Sequence, residues 1–276
     1  MNAMIEHRPV GFLTDTTLCI GCKACEVACK QWNGLPADGI ELSGHSYDNT
    51  LDLGATSWRH VAFVEQPKPD GVDLLGSLLN SDSGGTQTVW LMLSDVCKHC
   101  ANAGCMQACP TGAIIRTEFG TVVIQQDVCN GCGYCIPSCP FGVPQLSTTD
   151  HKAHKCTLCY DRLKEGLEPA CAKACPTDSI QFGYVDELHA RGRERVETLK
   201  ARGYDQAHLY GDRETGGTHG IGGLHASFVL TAPPETFNLP AAPSLPQDKV
   251  LPAYATTALA AAGFVLAAAK FLRQKG

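Results

Sequence analysis

The chemistry available to this sequence lies in its cysteines. Four runs carry four each: Cys19, Cys22, Cys25 and Cys29; Cys97, Cys100, Cys105 and Cys109; Cys129, Cys132, Cys135 and Cys139; Cys156, Cys159, Cys171 and Cys175. Together they account for all 16 cysteines of the chain. The first and third runs read C-x2-C-x2-C-x3-C. The second widens its middle gap to four residues and the fourth to eleven, YDRLKEGLEPA. Proline follows the last cysteine in three runs, at Pro110, Pro140 and Pro176.

That spacing is the ferredoxin pattern for cubane [4Fe–4S] clusters. Three cysteines two residues apart wrap a tight loop around three corners of a cube. Glycines such as Gly21, Gly131 and Gly133 let backbone N–H groups approach the sulfurs. The fourth cysteine lies a helical turn further on, points away, and ligates the other cluster of a pair. The second and third runs are close neighbours, joined by PTGAIIRTEFGTVVIQQDV, which predicts turn, short strand, glycine turn and strand. They form one ferredoxin unit, pairing Cys97, Cys100 and Cys105 with Cys139, and Cys129, Cys132 and Cys135 with Cys109. The first and fourth runs then pair across the chain: Cys19, Cys22 and Cys25 with Cys175, and Cys156, Cys159 and Cys171 with Cys29.

Structural zinc is the plain alternative. Zinc takes four ligands in a tetrahedron, usually from two separated C-x2-4-C knuckles, whereas C-x2-C-x2-C crowds three onto one loop. Disulfides across C-x2-C loops would be strained.

The elements that must position these loops give an α+β fold of two nested ferredoxin-like units, each carrying two [4Fe–4S] clusters, plus one C-terminal transmembrane helix. Residues 1–30 and 151–184 form the outer unit, 31–96 an insertion lobe and 97–150 the inner unit. Residues 185–249 form an extension and linker arm, and 250–272 the membrane helix. Within the lobe, QWNGLPADG and LLNSDSGGTQ predict loops and WRHVAFVEQ a strand. The lobe is read either as a dock for a partner or as a plain insertion. VDELHARGRERVETLKARG predicts a solvated surface helix with a thin stripe at Leu188, Val196 and Leu199. GDRETGGTHGIGGLH predicts a simple loop, because it lacks a phosphate-binding glycine motif. APPETFNLPAAPSLPQ predicts an extended arm. Lys98, His99, His151, His154 and Lys155 flank cysteines, and are read either as charges that raise a cluster's potential or as ordinary surface residues.

Net charge is −6, which does not suggest a nucleic-acid partner. The stretch MNAMIEHRPVGFLTD has no apolar export segment. From Leu251 to Ala269 there is no charge, and 19 helical residues span roughly 28 Å, near the thickness of a bilayer core. Gly263 and Ala267, four apart, suit packing against other membrane helices. Lys270, Arg273 and Lys275 follow this stretch against Lys249 before it, so the C-terminus is expected in the cytoplasm and the cysteine runs on the exported face.

The arrangement resembles the four-cluster electron-transfer subunits of the molybdopterin oxidoreductase superfamily. CIGCKACEVACKQWN, WLMLSDVCKHC, TEFGTVVIQQDVCNGCGYCIPSCPFGV and HKCTLCYDRLKEGLEPACAKACPTDSIQFG resemble in particular the iron–sulfur beta subunit of membrane-bound respiratory formate dehydrogenase, over 11–184. The resemblance implies that every cysteine is a cluster ligand. Some relatives acting on nitrate or sulfoxides replace a cysteine of the third run; this chain keeps Cys129, Cys132, Cys135 and Cys139, which implies four [4Fe–4S] clusters. The sequence offers no nucleophile–base motif, nucleotide loop or extra cysteine, so no catalytic site of its own is expected. The resemblance also implies a molybdopterin (Mo or W) alpha subunit as electron donor, a membrane cytochrome b gamma subunit reducing quinone as acceptor, and export on the alpha subunit's twin-arginine signal. The same relay in a hydrogenase or a sulfur-compound reductase is the alternative, and a free-standing soluble ferredoxin is opposed by the apolar tail.

Overall fold

The strand β1 (Val10–Asp15) is buried along its whole length. It lies inside a four-stranded sheet of order β8-β1-β10-β9, with β8 at Ile180–Tyr184, β9 at His208–Tyr210 and β10 at Ala226–Leu230. A strand covered on both faces reads as a continuous apolar run, and VGFLTD and ASFVL do so. β8 pairs antiparallel with β1, and β10 pairs parallel with it, Phe12 opposite Ala226. The computed structural model describes residues 8–37, 47–67, 88–213 and 219–275.

The two faces of this sheet have different neighbours. On one lies α5 (Val185–Lys200), where Leu188, Val196 and Leu199 pack against Leu13, Leu209 and Val229. Gly192 permits the close approach, since a Cβ there would stand 2.7 Å from a Leu209 methyl. The expected solvated helix is therefore present, but its thin apolar stripe is fully used. On the other face Phe12, Ile180 and Ala226 share a core with Cys25, Cys97, Cys156 and Cys171.

The remaining elements are short. Helices α1 (Ala24–Asn33), α2 (Gly104–Gln107), α3 (Tyr160–Lys164) and α4 (Ala170–Lys173) each follow or carry cysteines. β2 (Arg59–Pro67) and β3 (Thr88–Val96) form an antiparallel pair, as do β4 (Ile114–Arg116) and β5 (Val122–Ile124), and β6 (Gln145–Leu146) and β7 (Ala153–His154). The strand expected in WRHVAFVEQ and the two around the glycine turn at Gly120 are present. The expected loop at LLNSDSGGTQ lies outside the described residues, as do parts of QWNGLPADG and GDRETGGTHGIGGLH.

Residues 185–249 differ from an extension and arm. They supply β9 and β10, two of the four strands of the sheet. The proline-rich stretch expected to be an extended arm buries Phe237, Leu239 and Leu245 in a core with Leu93 and Phe228. Its prolines stop regular pairing but leave those apolar side chains free to pack. The β2–β3 pair is likewise no separate lobe, because Val61, Leu93 and Val96 are buried in the cores that contain the cysteines. α6 (Val250–Lys275) ends the described chain. The Pro246–Ala267 span, which takes in the first part of this helix, has mean hydropathy 1.7 and none of its described side chains is buried, so one helix among the described residues is long and apolar enough to cross a membrane.

Candidate metal centres

Each C-x2-C loop bends the same way. The residue before the second cysteine has positive φ in all four runs: Gly21 (66°), His99 (42°), Gly131 (73°) and Leu158 (59°). Left-handed backbone is routine for glycine and costs a leucine roughly 1–2 kcal/mol. Accepting that cost at Leu158 indicates that the loop shape itself is required. A left-handed residue turns successive N–H groups toward one concavity, a nest for anions; Leu158 N–H donates to Cys156 Sγ at 3.2 Å.

Two cavities are each lined by four cysteines from distant parts of the chain. One takes Cys19, Cys22, Cys25 and Cys175, the other Cys29, Cys156, Cys159 and Cys171. Thus α1 sends Cys25 to one cavity and Cys29 to the other, and α4 with its following turn divides Cys171 and Cys175 likewise. Cys97, Cys100, Cys105 and Cys139 sit within electrostatic reach of one another, and Cys135 within reach of Cys129, Cys132 and Cys109. The structure therefore brings the first and fourth runs together around two cavities and gathers the eight cysteines of the second and third runs near one another.

Cysteines assigned to different sets also lie near one another. Cys29 senses Cys25, Cys156 senses Cys97, and Cys105 senses Cys135. The sequence offers no signal for this proximity, because it depends on how the loops pack.

The donors fit iron–sulfur cubes. None of the 16 sulfurs is in a disulfide. Among the described residues, no three His, Cys, Asp or Glu side chains converge closely enough for a single ion. Thiolates on one zinc at about 2.3 Å would sit close together, whereas ligands on the corners of a cube stand further apart. Burial pushes the Cys29 and Cys105 thiols up to about 12 and those of Cys25, Cys135 and Cys159 up to about 11. Such thiols ionise when metal displaces the proton. At Cys109 burial acts the same way, but hydrogen bonds from Thr111 and from the Ile114 and Ala113 backbone outweigh it and lower the pKa.

Two buried donors of residues beside the cysteines lack partners among the described residues. His99 accepts from Val122 N–H at Nδ1 (3.0 Å), and burial, reinforced by Lys155, holds its pKa well down. The neutral ring then carries its proton on Nε2, which has no partner among the described residues, and neither has Arg59 Nε. Sulfur atoms of a cluster would accept from such groups.

The lysines and histidines beside cysteines divide. Lys98, His99 and Lys155 are buried, so the surface reading fails for them. Lys98 Nζ pairs with Asp95 and donates to the Val96 carbonyl (2.9 Å), while Lys155 Nζ is held by the Val122 and Cys156 carbonyls. His151 is exposed, and His154 pairs with Asp150 at the surface, 2.9 Å away. Sequence reasoning missed Arg59, which is remote in sequence from every cysteine run, and Ser94, three residues before Cys97; both stand among the sulfurs.

Two family models, each described as a 4Fe-4S dicluster domain, match residues 88–185 and 18–113. The formate dehydrogenase-O iron–sulfur subunit of Escherichia coli is 44% identical over 78% of this chain and 67% of its own. The iron–sulfur subunit of the nitrate-inducible formate dehydrogenase of Escherichia coli is 41% identical over 93% of this chain and 81% of its own. The B subunit of the anaerobic dimethyl sulfoxide reductase of Escherichia coli is 34% identical over 66% of this chain and 76% of its own. Four loops that bend alike, cysteines gathered from distant segments around two cavities, and these likenesses lead to one assignment: the chain belongs to the family of formate dehydrogenase iron–sulfur subunits, which transfer electrons within an oxidoreductase complex.

Proposed function

We propose that the chain carries four [4Fe–4S] clusters in two nested ferredoxin-like units. The ligand sets are Cys19, Cys22, Cys25 and Cys175; Cys29, Cys156, Cys159 and Cys171; Cys97, Cys100, Cys105 and Cys139; and Cys109, Cys129, Cys132 and Cys135. The observation that carries this is the division of Cys171 from Cys175, four residues apart, between two cavities completed by the N-terminal run. Each cluster supplies one-electron chemistry when bound.

The chain's part is to hold the sets in line, exclude water from the inner ones and leave the ends accessible. Cys22 and Cys132, one at each end, are exposed, while Cys29, Cys97, Cys105 and Cys156 are buried. Exposed Ile20 and Val27 flank the first end, and Tyr134 and Leu146 the other, as apolar surface for partner subunits. In this reading the electrons come from a formate-oxidising molybdopterin subunit containing molybdenum or tungsten and leave to a membrane cytochrome b that reduces quinone. α6 anchors the chain in that membrane with its C-terminus cytoplasmic and the clusters on the exported face, translocated with the partner's signal. The likeness to a dimethyl sulfoxide reductase subunit favours, as a second reading, the same relay serving a sulfur-compound reductase.

Gentle detergent purification tests the proposal. Roughly sixteen iron and as much acid-labile sulfide per chain are expected, together with a co-purified subunit that passes electrons from formate to a dye. Zinc in place of iron would refute the cluster reading; iron without formate-to-dye activity would refute the formate assignment.

A further inference from the structure

Arg59 is the largest fully buried side chain among the described residues, 1% exposed. A buried guanidinium is expensive unless its charge and its donors are answered. Here Nη1 donates to the Ser94 carbonyl (3.1 Å) and the Ser94 hydroxyl (3.3 Å), and Nη2 donates to Cys171 Sγ (3.3 Å). The plane lies 4.8 Å from the centre of the Phe12 ring. The Ser94 hydroxyl in turn lies 3.2 Å from Cys25 Sγ. One fork of Arg59 therefore contacts one cysteine set directly and the other contacts the next set through Ser94. Burial opposes the charge, yet the sulfurs of Cys171, Cys25 and Cys156 outweigh it and raise the pKa.

Among the described residues the other two buried cations differ. Lys98 is answered by Asp95, and Lys155 by backbone carbonyls. Arg59 is answered by Ser94 and by a ligand sulfur, and its planar fork is what lets one charge serve two sets, which a lysine cannot do. A fixed cation near a cluster favours the form with one more electron, and in a low-dielectric interior this effect is strong.

We propose that Arg59, with Ser94 as its bridge, is a positioning residue that sets the reduction potentials of two adjacent clusters together, those of the Cys19–Cys175 and Cys29–Cys171 sets. Sharing one cation keeps both clusters reducible as the electron passes between them. The inference rests on the ligand sets proposed above.

The test is a redox titration of the purified complex followed by electron paramagnetic resonance, on the unaltered chain, Arg59→Met, Arg59→Lys and Ser94→Ala. In Arg59→Met two of the four potentials should fall, each by a factor of about ten or more in the reduction equilibrium (about 59 mV for one electron), while the other two hold. Arg59→Lys should recover part of the fall, and Ser94→Ala should move one of the same two. Iron content separates tuning from misassembly; should Arg59→Met hold less iron than the unaltered chain, Arg59→Lys and Ser94→Ala decide. Unmoved potentials in variants with full iron, or equal shifts in all four, would overturn the inference. An unaltered chain without four reducible centres would instead overturn the cluster assignment beneath it.

Discussion

The backbone at Gly131 lies so close to His151 that an added Cβ would stand 2.2 Å from the His151 carbonyl oxygen. Gly131 also has φ of 73°. Two independent constraints thus meet at the residue before Cys132. Gly131→Ala should distort the third loop, at a cost of at least about 2 kcal/mol, and lower iron by roughly a quarter. Gly142 is the control. Its φ is 64°, but an added Cβ there meets nothing within 4 Å. Gly142→Ala should therefore cost only about 1 kcal/mol and keep its iron. Iron analysis with thermal unfolding of both variants checks the contrast.

Cys171 and Cys175 are neighbours in sequence but line different cavities. Cys175→Ser should therefore change the same paramagnetic signal as Cys19→Ser, and Cys171→Ser the same signal as Cys29→Ser. If Cys171→Ser and Cys175→Ser altered one common signal, the crossed ligand scheme would fail. Spectra of the four single variants, reduced with dithionite, suffice.

The division of Cys25 from Cys29, and of Cys171 from Cys175, between two cavities was legible because ligand spacing is a local, covalent property: the C-x3-C step that ends each run turns its last sulfur away from the others. The short hairpin around Gly120 was legible for the same reason. What escaped was long-range. Phe12 pairs with Ala226 across more than two hundred positions of chain, and no local periodicity in ASFVL names its neighbour. Arg59 opens a strand that reads correctly from WRHVAFVEQ, yet a strand pattern does not say that its first residue faces Cys171. For Lys98 and Lys155 the sequence left burial undecided between two readings, because what covers them comes from other segments.

His225 gives the fold a pH dependence. It lies at the start of β10, where its backbone N–H donates to the Lys98 carbonyl (3.0 Å) and its Nδ1 has no partner among the described residues. Burial, reinforced by Arg116, lowers its pKa to about 4. The folded protein thus holds the ring neutral while an unfolded chain protonates it near pH 6.5. Between these values the unfolded state binds more protons, so stability falls as pH drops from about 6.5 towards 4, by about 2 kcal/mol at pH 5. Thermal unfolding at pH 7 and pH 5, for the unaltered chain and His225→Gln, should show a smaller loss in the variant. An equal loss would place the acid sensitivity elsewhere.

The helix α6 is separable from the rest. Tyr254, Leu259, Phe264, Val265 and Leu266 are 69–78% exposed, and the described core ends at Leu245. In water that apolar surface would drive association, since about 25 cal/mol is at stake for each Å² left wet; in a bilayer it is solvated. Leu245 and Phe237 instead seal the core next to Leu93 and must stay. A chain ending at Lys249 should therefore keep its full iron content and its unfolding temperature within a degree or two while moving from the membrane to the soluble fraction. Leu245→Ala, which opens a cavity in the core, should cost about 2–5 kcal/mol and leave the chain in the membrane. Fractionation with iron analysis reads both variants, and loss of iron on removing the helix would show that the helix holds the cysteine sets in place.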